Sequence, residues 1–361
     1  MPVIALAASA RALVQSLARI GQPAVAIDFF GDRDTREAAI ETIVVPSDSP
    51  AMQTATLEAV GRFPSDWPLV YGGAMENRPE LLDAIADRRE VLGPTGTMLR
   101  RARNRREVAG VLGSVPLGVY AIPEMPGEQP RPEGDWLWKS ARSGCGTGVR
   151  LSRGDGPGYW QRRLPGDCHG FAFDARDDGC QLIGATLHTP HAYAPPDRPF
   201  FAMDLTLVPL GDLPTNVRIV LDAAGDALHG RGLRGVFGLD MICPAPASLA
   251  GMPLAFLELN PRYTAGMELI ERLTGRSVFA SLFGGPSPAV LDTSHTLRRH
   301  IVLADGSPIA PVDPDERLTH PASGRDLGPV WSDRPCDPQA VGIGEPYCTR
   351  YELVARSDAI G

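Results

Sequence analysis

Lysine is nearly missing from this chain. Lysine and arginine together number 35, yet Lys139 is the only lysine in 361 residues. Arginine presents a flat fork of donors, whereas lysine presents a compact ammonium that approaches a phosphate oxygen as a point charge. Lys139 is therefore a candidate for a tight oxyanion contact, with chance survival of one lysine as the alternative that its neighbours must decide. Other absences narrow the function. The six cysteines, Cys145, Cys168, Cys180, Cys243, Cys336 and Cys348, form no CxxC pair, which excludes the usual zinc spacing and suits a reducing cytoplasm better than a disulfide framework. No apolar run approaches the roughly 20 residues of a membrane span. The opening MPVIALAASARALVQSLARIG carries arginines inside its apolar stretch and reads as a strand and a helix, not a leader. A net charge of −8 repels nucleic-acid phosphates and anionic membrane, so neither is an expected partner. No Walker A motif, internal repeat or low-complexity tract is present, and no Ser/His/Asp or Cys/His arrangement marks a side-chain nucleophile. What remains is an ordinary globular composition, 43% hydrophobic and 22% charged, in a length that makes two or three packed units.

Strand and helix alternate at the start. Pro2 to Ala7, Ala24 to Phe29, Glu41 to Pro46 and Leu69 to Gly73 read as strands; Ser9 to Ile20, Met52 to Gly61 and Asn77 to Arg88 read as helices. This is βαβ text and implies a parallel, doubly wound sheet. Gly72 and Gly73, with Glu76 and Asn77 just beyond, stand where open α/β sheets place ligands, although a plain glycine turn before a helix explains them equally. Leu99 to Leu112 reads as one basic helix. After a Pro/Gly/Glu linker from Pro123 to Gly134, hairpin text begins at Trp136. A helix over Pro214 to Gly230, strands at Gly235 to Ile242 and Leu254 to Leu259, and a helix from Gly266 follow. The tail from Leu297 is Pro-rich with short strands.

Two clusters carry chemistry. Ser143-Gly144-Cys145-Gly146-Thr147-Gly148 lets successive backbone N–H groups face one anion. A strand, Val149 to Ser152, follows the glycines where a dinucleotide fingerprint requires a helix. The motif is therefore a glycine hairpin lid, and the single lysine lies just ahead of it. Farther on, Asp240 interrupts the apolar strand Gly-Val-Phe-Gly-Leu-Asp-Met-Ile, where an unpartnered carboxylate is costly. Glu258 and Asn260, two residues apart in Leu-Glu-Leu-Asn-Pro-Arg, share one face of a second strand. Asp240, Glu258 and Asn260 make a hard oxygen set suited to Mg²⁺ bridged to phosphates, and Arg262 offers a fork for a carboxylate or acyl phosphate.

These residues resemble the ATP-grasp superfamily, the fold of many carboxylate–amine ligases. The Trp-Lys-Ser strand with its glycine lid, the Gly-Leu-Asp240 strand and Glu258-Leu-Asn260-Pro-Arg262 occur in that superfamily's order, over about residues 100 to 285. The resemblance implies an α/β protein, α+β in its catalytic part. A Rossmann-like pre-ATP-grasp domain would occupy residues 1–98, the ATP-grasp nucleotide-binding and catalytic region 99–290, and a small C-terminal β unit 291–361. It further implies that Lys139 contacts nucleotide phosphates and that Ser143, Gly144, Gly146, Thr147 and Gly148 close over them. Asp240, Glu258 and Asn260 would hold Mg²⁺, with Mn²⁺ able to substitute. Gln161, Arg162 and Leu164 fall on the hinge that binds adenine. The superfamily usually has Gln-Glu there, so Asp167 becomes the nearest acid for the ribose. Arg103, Arg105 and Arg106 compete for a further phosphate contact, and Arg105 is the choice taken.

The reaction so implied is ATP-dependent activation of a small carboxylate as an acyl phosphate, followed by attack of an amine, with Lys139 and Arg262 as catalytic residues. A nucleotide-binding protein without turnover and a small-molecule kinase on the same fold are the alternatives. His169, His188 and His191 are candidates for the substrate pocket. The segment from Val330 to Ala355 resembles the tail of ATP-grasp ligases linked to tetrahydromethanopterin and methanofuran, which points to one-carbon cofactor assembly. A cytoplasmic enzyme is expected, and a homodimer is compatible with the resemblance.

Overall fold

The computed structural model describes residues 1–47, 50–141, 146–244, 252–288, 294–305, 313, 315–337 and 341–356. The chain begins with four short parallel strands, β1 (Val3–Leu6), β2 (Ala24–Asp28), β3 (Glu41–Val44) and β4 (Leu69–Tyr71), in the order β3-β2-β1-β4. The first two and the last are apolar at nearly every position and wholly buried, as a sheet covered on both faces by helices requires. Helices α1 (Arg11–Arg19), α2 (Arg33–Ala38), α3 (Ala51–Gly61) and α4 (Pro79–Ala86) provide the cover. Helix α4 starts two residues later than its periodicity suggests. Pro79 lacks the N–H that an earlier start would use, and Met75 to Asn77 form a separate 3₁₀ turn.

The basic segment expected as one helix is two. Helix α5 (Gly96–Arg103) and helix α6 (Arg105–Gly113) are separated by Asn104, which is extended and whose side chain accepts the backbone N–H of Glu107 at 3.3 Å. A short polar side chain that caps a new helix competes with continuing the old one. The break turns Arg103 and Arg105 toward the interior of the protein.

Beyond α6 come β5 (Tyr120–Ala121), β6 (Glu124–Pro126), β7 (Trp136–Ser140), β8 (Val149–Arg150) and β9 (Gly158–Arg162). The last four form a small antiparallel sheet in the order β6-β9-β7-β8. Trp138 and Trp160, edge to face at 5.4 Å, fill its apolar side. The large sheet has nine strands. It is built from β10 (Gly166–Arg176), β11 (Gly179–Thr189), β12 (Asp204–Val208), β13 (Gly235–Pro244), β14 (Ala255–Asn260), β15 (His295–Leu303), β18 (Trp331–Ser332) and β19 (Pro346–Ala355) together with β5. Among the described strands that follow β9, β16 (Arg317–Thr319) and β17 (Asp326–Pro329) alone pair apart from it. The order is β18-β19-β15-β12-β11-β10-β13-β14-β5, so the C-terminal strands continue the large sheet.

Alternation along these strands assigns the two faces. Phe171, Phe173, Phe237, Leu239 and Met241 pack with α6 and with α7 (Thr215–Gly230) into one core. Gly170, Gly184, Thr186 and Asp240 point the other way, toward α8 (Ala265–Thr274) and an open cleft. At Gly184 a Cβ would collide with Ile270 of α8, so the close seating of that helix depends on glycine.

A buried ion cluster ties the N-terminal sheet to the rest. Arg11 of α1 donates to both carboxylate oxygens of Glu268 in α8, at 2.6 and 2.8 Å, and to Asp333 at 2.6 Å. Arg272 donates to Glu268 at 3.0 Å and lies 3.7 Å from the Tyr351 ring centre. Burial alone would raise the Asp333 carboxyl, but Arg11 holds it below its ordinary range; Glu268, under Arg11 and Arg272, is lowered further. Removing one partner of such a group leaves buried charge uncompensated. We expect Arg11→Met to cost about 3 kcal/mol in urea unfolding at neutral pH. Carboxyls depressed in the folded state stabilise above an unfolded pKa of about 4 and lose that stabilisation on acidification. The cost should therefore shrink below about pH 4, and a pH-independent cost would contradict the cluster's role.

Candidate active site

Strands β13 and β14 run antiparallel with Asp240 opposite Glu258 and Gly238 opposite Asn260. Both strands are apolar except at these positions, so the polar side chains emerge together on the cleft face. The Asn260 amide donates to Asp240 Oδ2 at 3.0 Å. Two carboxyl groups in contact cannot both carry full charge away from water. Burial, then the neighbouring Glu258, pushes Asp240 well above the ordinary carboxylate range. Burial also acts to raise Glu258, but Lys139, Arg103 and Arg105 outweigh it and hold that carboxyl low. Within the pair, Asp240 is thus biased toward its protonated form and Glu258 toward its ionised form.

The cations that hold it come from the small sheet and from the break between α5 and α6. Lys139 projects from β7, and among the described residues it makes no ion pair. Burial and the nearby Arg105 lower its pKa, while Glu258 opposes them. Arg105 donates to Glu124 Oε1 at 2.7 Å and lies 4.9 Å from the Tyr159 ring centre and 5.7 Å from that of Phe256. Arg103 donates to the Asn77 side-chain oxygen at 2.8 Å and to the Leu259 carbonyl at 3.4 Å. Of the three competing arginines, Arg103 and Arg105 both face Glu258, and Arg106 is exposed.

The hinge differs in direction from the expectation. Gln161 is buried and its amide donates to Glu124 Oε1 at 3.0 Å, so its polar end is committed to the Arg105 network. Arg162 and Asp167 are exposed beside the cleft. Leu164 joins Ile122, Ile242, Met252 and Leu257 in an apolar patch of the cleft wall. Glu124, which organises this corner, was not among the expected residues; it sits in linker text with no pattern to mark it. Of the glycine loop, Ser143 and Gly144 lie outside the described residues. Gly146, at φ +72°, faces the Phe200 carbonyl too closely for any Cβ, and the Gly148 carbonyl accepts the Ser140 N–H at 3.0 Å. Thr147 stands between them.

Arg262 leaves β14 at the junction with the N-terminal sheet. Its Nε donates to Glu76 Oε1 at 2.7 Å, and its two Nη groups donate to the Tyr263 carbonyl at 3.0 Å and to Asn260 Oδ1 at 3.4 Å. Glu76 follows the Gly72-Gly73 turn, so the strand end marked in the sequence does meet the acidic centre. The second carboxylate oxygen of Glu76 is buried without a hydrogen-bond partner. Thr186 and His188 line the same cleft, and His169 stacks on Phe171 at 5.9 Å. Burial and His169 lower His188 to about 4, leaving it neutral near pH 7. His191 contacts Tyr193 away from this group. The acidic pair, Lys139, Arg103, Arg105, Arg262 and His188 border one cleft of about 1950 Å³, large enough for a nucleotide and a second molecule together. Among the described residues, no three His, Cys, Asp or Glu side chains converge as a metal cluster, and no helix is long and apolar enough to cross a membrane.

No family model and no curated protein matches the sequence. Solved structures do match its shape. Biotin carboxylase from Campylobacter jejuni, a complex with an ATP analogue, aligns at TM-score 0.65 and 14% identity over 99% of this chain and 89% of its own. N5-carboxyaminoimidazole synthetase from Staphylococcus aureus, complexed with ADP, aligns at 0.67 and 11%, over 99% and 94%. L-amino acid ligase from Bacillus licheniformis aligns at 0.61 and 10%, over 99% and 94%. A putative ATP-grasp protein from Archaeoglobus fulgidus aligns at 0.60 over 98% and 99%. The chain therefore has the mixed α/β ATP-grasp fold along nearly its whole length.

Proposed function

We propose that the protein is an ATP-dependent ligase that activates a small-molecule carboxylate as an acyl phosphate and joins it to an amine. The observation that carries this reading is Glu258, an anion held low by Lys139, Arg103 and Arg105 while it touches Asp240 at the floor of the cleft. Positive charge gathered on a carboxylate pair, in a fold whose neighbours include complexes with an ATP analogue and with ADP, suits a nucleotide triphosphate.

Asp240, Glu258 and Asn260 supply three hard oxygen donors side by side on one face of paired strands, and a divalent cation would relieve the repulsion between the two carboxyls. The set fits Mg²⁺, or Mn²⁺ in its place. When bound, such an ion neutralises charge on the phosphate oxygens. Lys139, with no ion pair of its own, is free for the same oxygens, and Arg105 stands behind it. Gly146, Thr147 and Gly148 form part of the covering loop. The apolar patch around Leu164 suits the flat face of adenine, and Gln161 serves there by fixing Glu124 and the β9 backbone. Arg262, steadied by Glu76, presents its guanidinium where a substrate carboxylate is held. A carboxylate oxygen attacks the γ-phosphorus, the bridge to the β-phosphate breaks, and ADP leaves; the amine then attacks the acyl carbon, forming the C–N bond as phosphate and a proton depart. Positioning and charge neutralisation carry such a transfer.

The likeness of the C-terminal segment directs the first substrates toward glutamate and aromatic amines of one-carbon cofactor assembly. With MgATP and such a pool we expect ADP together with a condensed product by mass spectrometry. ADP with only a phosphorylated compound would make the protein a kinase. Glu258→Gln is expected to lower turnover at least 100-fold while the protein stays folded, and full activity in that variant would remove the metal assignment. Lys139→Arg keeps the charge but not the point-like ammonium. We expect it to weaken MgATP binding and turnover about tenfold or more; unchanged values would show the lone lysine to be incidental.

A further inference from the structure

Arg299 is a charged group that the proposed reaction leaves unused. It lies in β15, opposite Leu205 of β12, which in turn stands beside His188 of β11 through the His188–Leu205 pair. His188 pairs with Cys168 of β10, and Cys168 with Ile242 of β13. Residues directly opposite in antiparallel strands share a face. Asp240, Gly170 and Thr186 form the adjacent row on that same face. Arg299 therefore looks onto the sheet surface that carries the acidic pair, and it lines the same cleft.

Its side chain has no hydrogen bond or ion pair with any described residue, and its Nε is buried without a partner. The nearby acids are already occupied. Glu268 is held by Arg11 and Arg272, and Asp333 by Arg11 and the Thr349 hydroxyl at 2.6 Å. Burial disfavours the charge on Arg299, but Tyr351, Asp333 and Glu268 outweigh it and keep the guanidinium cationic. A half-buried guanidinium whose Nε is shut away without an acceptor is costly unless something arrives to use it. Beside it, His188 is neutral and hydrogen-bonded to the Thr186 hydroxyl at 3.0 Å, and the nearby cation Arg11 is spent on Glu268 and Asp333.

Position decides what Arg299 serves. Four strand steps separate β13 from β15, about 19 Å at roughly 4.8 Å per step. That is too far for the guanidinium to meet the phosphates held near Asp240. We propose that Arg299 forms a second anion subsite of the cleft, and that a substrate of this enzyme carries an oxyanion, carboxylate or phosphate, that the reaction does not consume. The subsite follows from the cleft alone; only its description as a substrate subsite rests on the ligase reading.

Calorimetry on the full-length protein saturated with MgADP tests this, with glutarate, inorganic phosphate and uncharged glutaramide as probes. We expect glutarate or phosphate, and not glutaramide, to bind the wild type. The better of the two identifies the oxyanion as carboxylate or phosphate. Arg299→Met should weaken that binding at least tenfold while MgADP affinity stays within twofold, and Arg299→Lys should recover part of the loss. Anion binding unchanged in Arg299→Met, equal binding of glutaramide, or no anion binding to the wild type would each overturn the subsite. With substrates in hand, Arg299→Met should raise KM for the anionic substrate and leave KM for MgATP and most of kcat in place; a fall in kcat alone would overturn the specificity role. Failure of the ligase reading has a separate signature, the absence of MgADP binding and of ADP formation with anion binding intact.

Discussion

A carboxylate that no single cation neutralises organises this protein. Glu258 is held low by Lys139, Arg103 and Arg105, which arise from two separate stretches of chain: the small sheet and the break between α5 and α6. A buried charge of this kind is tolerated only where its partners are fixed, because the desolvation cost falls on every group at once. The partners are fixed by further contacts. Glu124 receives both Arg105 and Gln161, tying the helix break to the hinge strand, and Asn77 receives Arg103, tying the helix end to the N-terminal sheet. The site is thus a junction of all the layers.

The second constraint is the attachment of the N-terminal sheet, made at two points of different character. At one, Arg11, Glu268, Asp333 and Arg272 form a saturated cluster in which nearly every donor has an acceptor. Such a cluster has nothing to offer a ligand and serves as a fixed hinge pin. At the other, Glu76 holds Arg262 with one oxygen and leaves the second without a hydrogen-bond partner. Saturated contacts hold the halves together, and unsaturated ones lie where the cleft opens between them. A rigid frame with a few unspent polar atoms at its active centre is what preorganised electrostatic catalysis requires.

The centre was legible in the sequence because it breaks rules the rest of the strand obeys. Asp240, Glu258 and Asn260 are polar intrusions in apolar strands, and Lys139 is alone of its kind, so each is visible without knowing its neighbours. The βαβ start was legible from periodicity and turn residues. What stayed hidden depends on contacts between remote segments. The division of the basic helix at Asn104 is a local capping effect whose single-residue signal the surrounding helical periodicity masks in the sequence. Glu124 lies in a Pro/Gly/Glu linker and gains its meaning only from Arg105 and Gln161. Strand β12, between β11 and β15, is short and mixed in character, yet it carries the C-terminal strands onto the catalytic sheet and so brings Arg299 to the cleft.

That last connection bears on how one fold serves different substrates. Strands β13 and β14 hold Asp240, Glu258 and Asn260, which the proposed reaction assigns to the nucleotide phosphates. Strands β12 and β15 stand farther along the same sheet face, in register with His188 but beyond reach of the acidic pair. Side chains there can change without disturbing Asp240 or Glu258, because strand pairing depends on the backbone and not on which side chain faces the cleft. Selectivity for a second molecule is therefore placed where substitution is cheap, at a distance set by strand spacing. In this chain the position holds an arginine whose Nε has no partner, and on the proposed reading strand spacing sets the distance from the reacting carboxylate to the anion that the rest of the substrate carries.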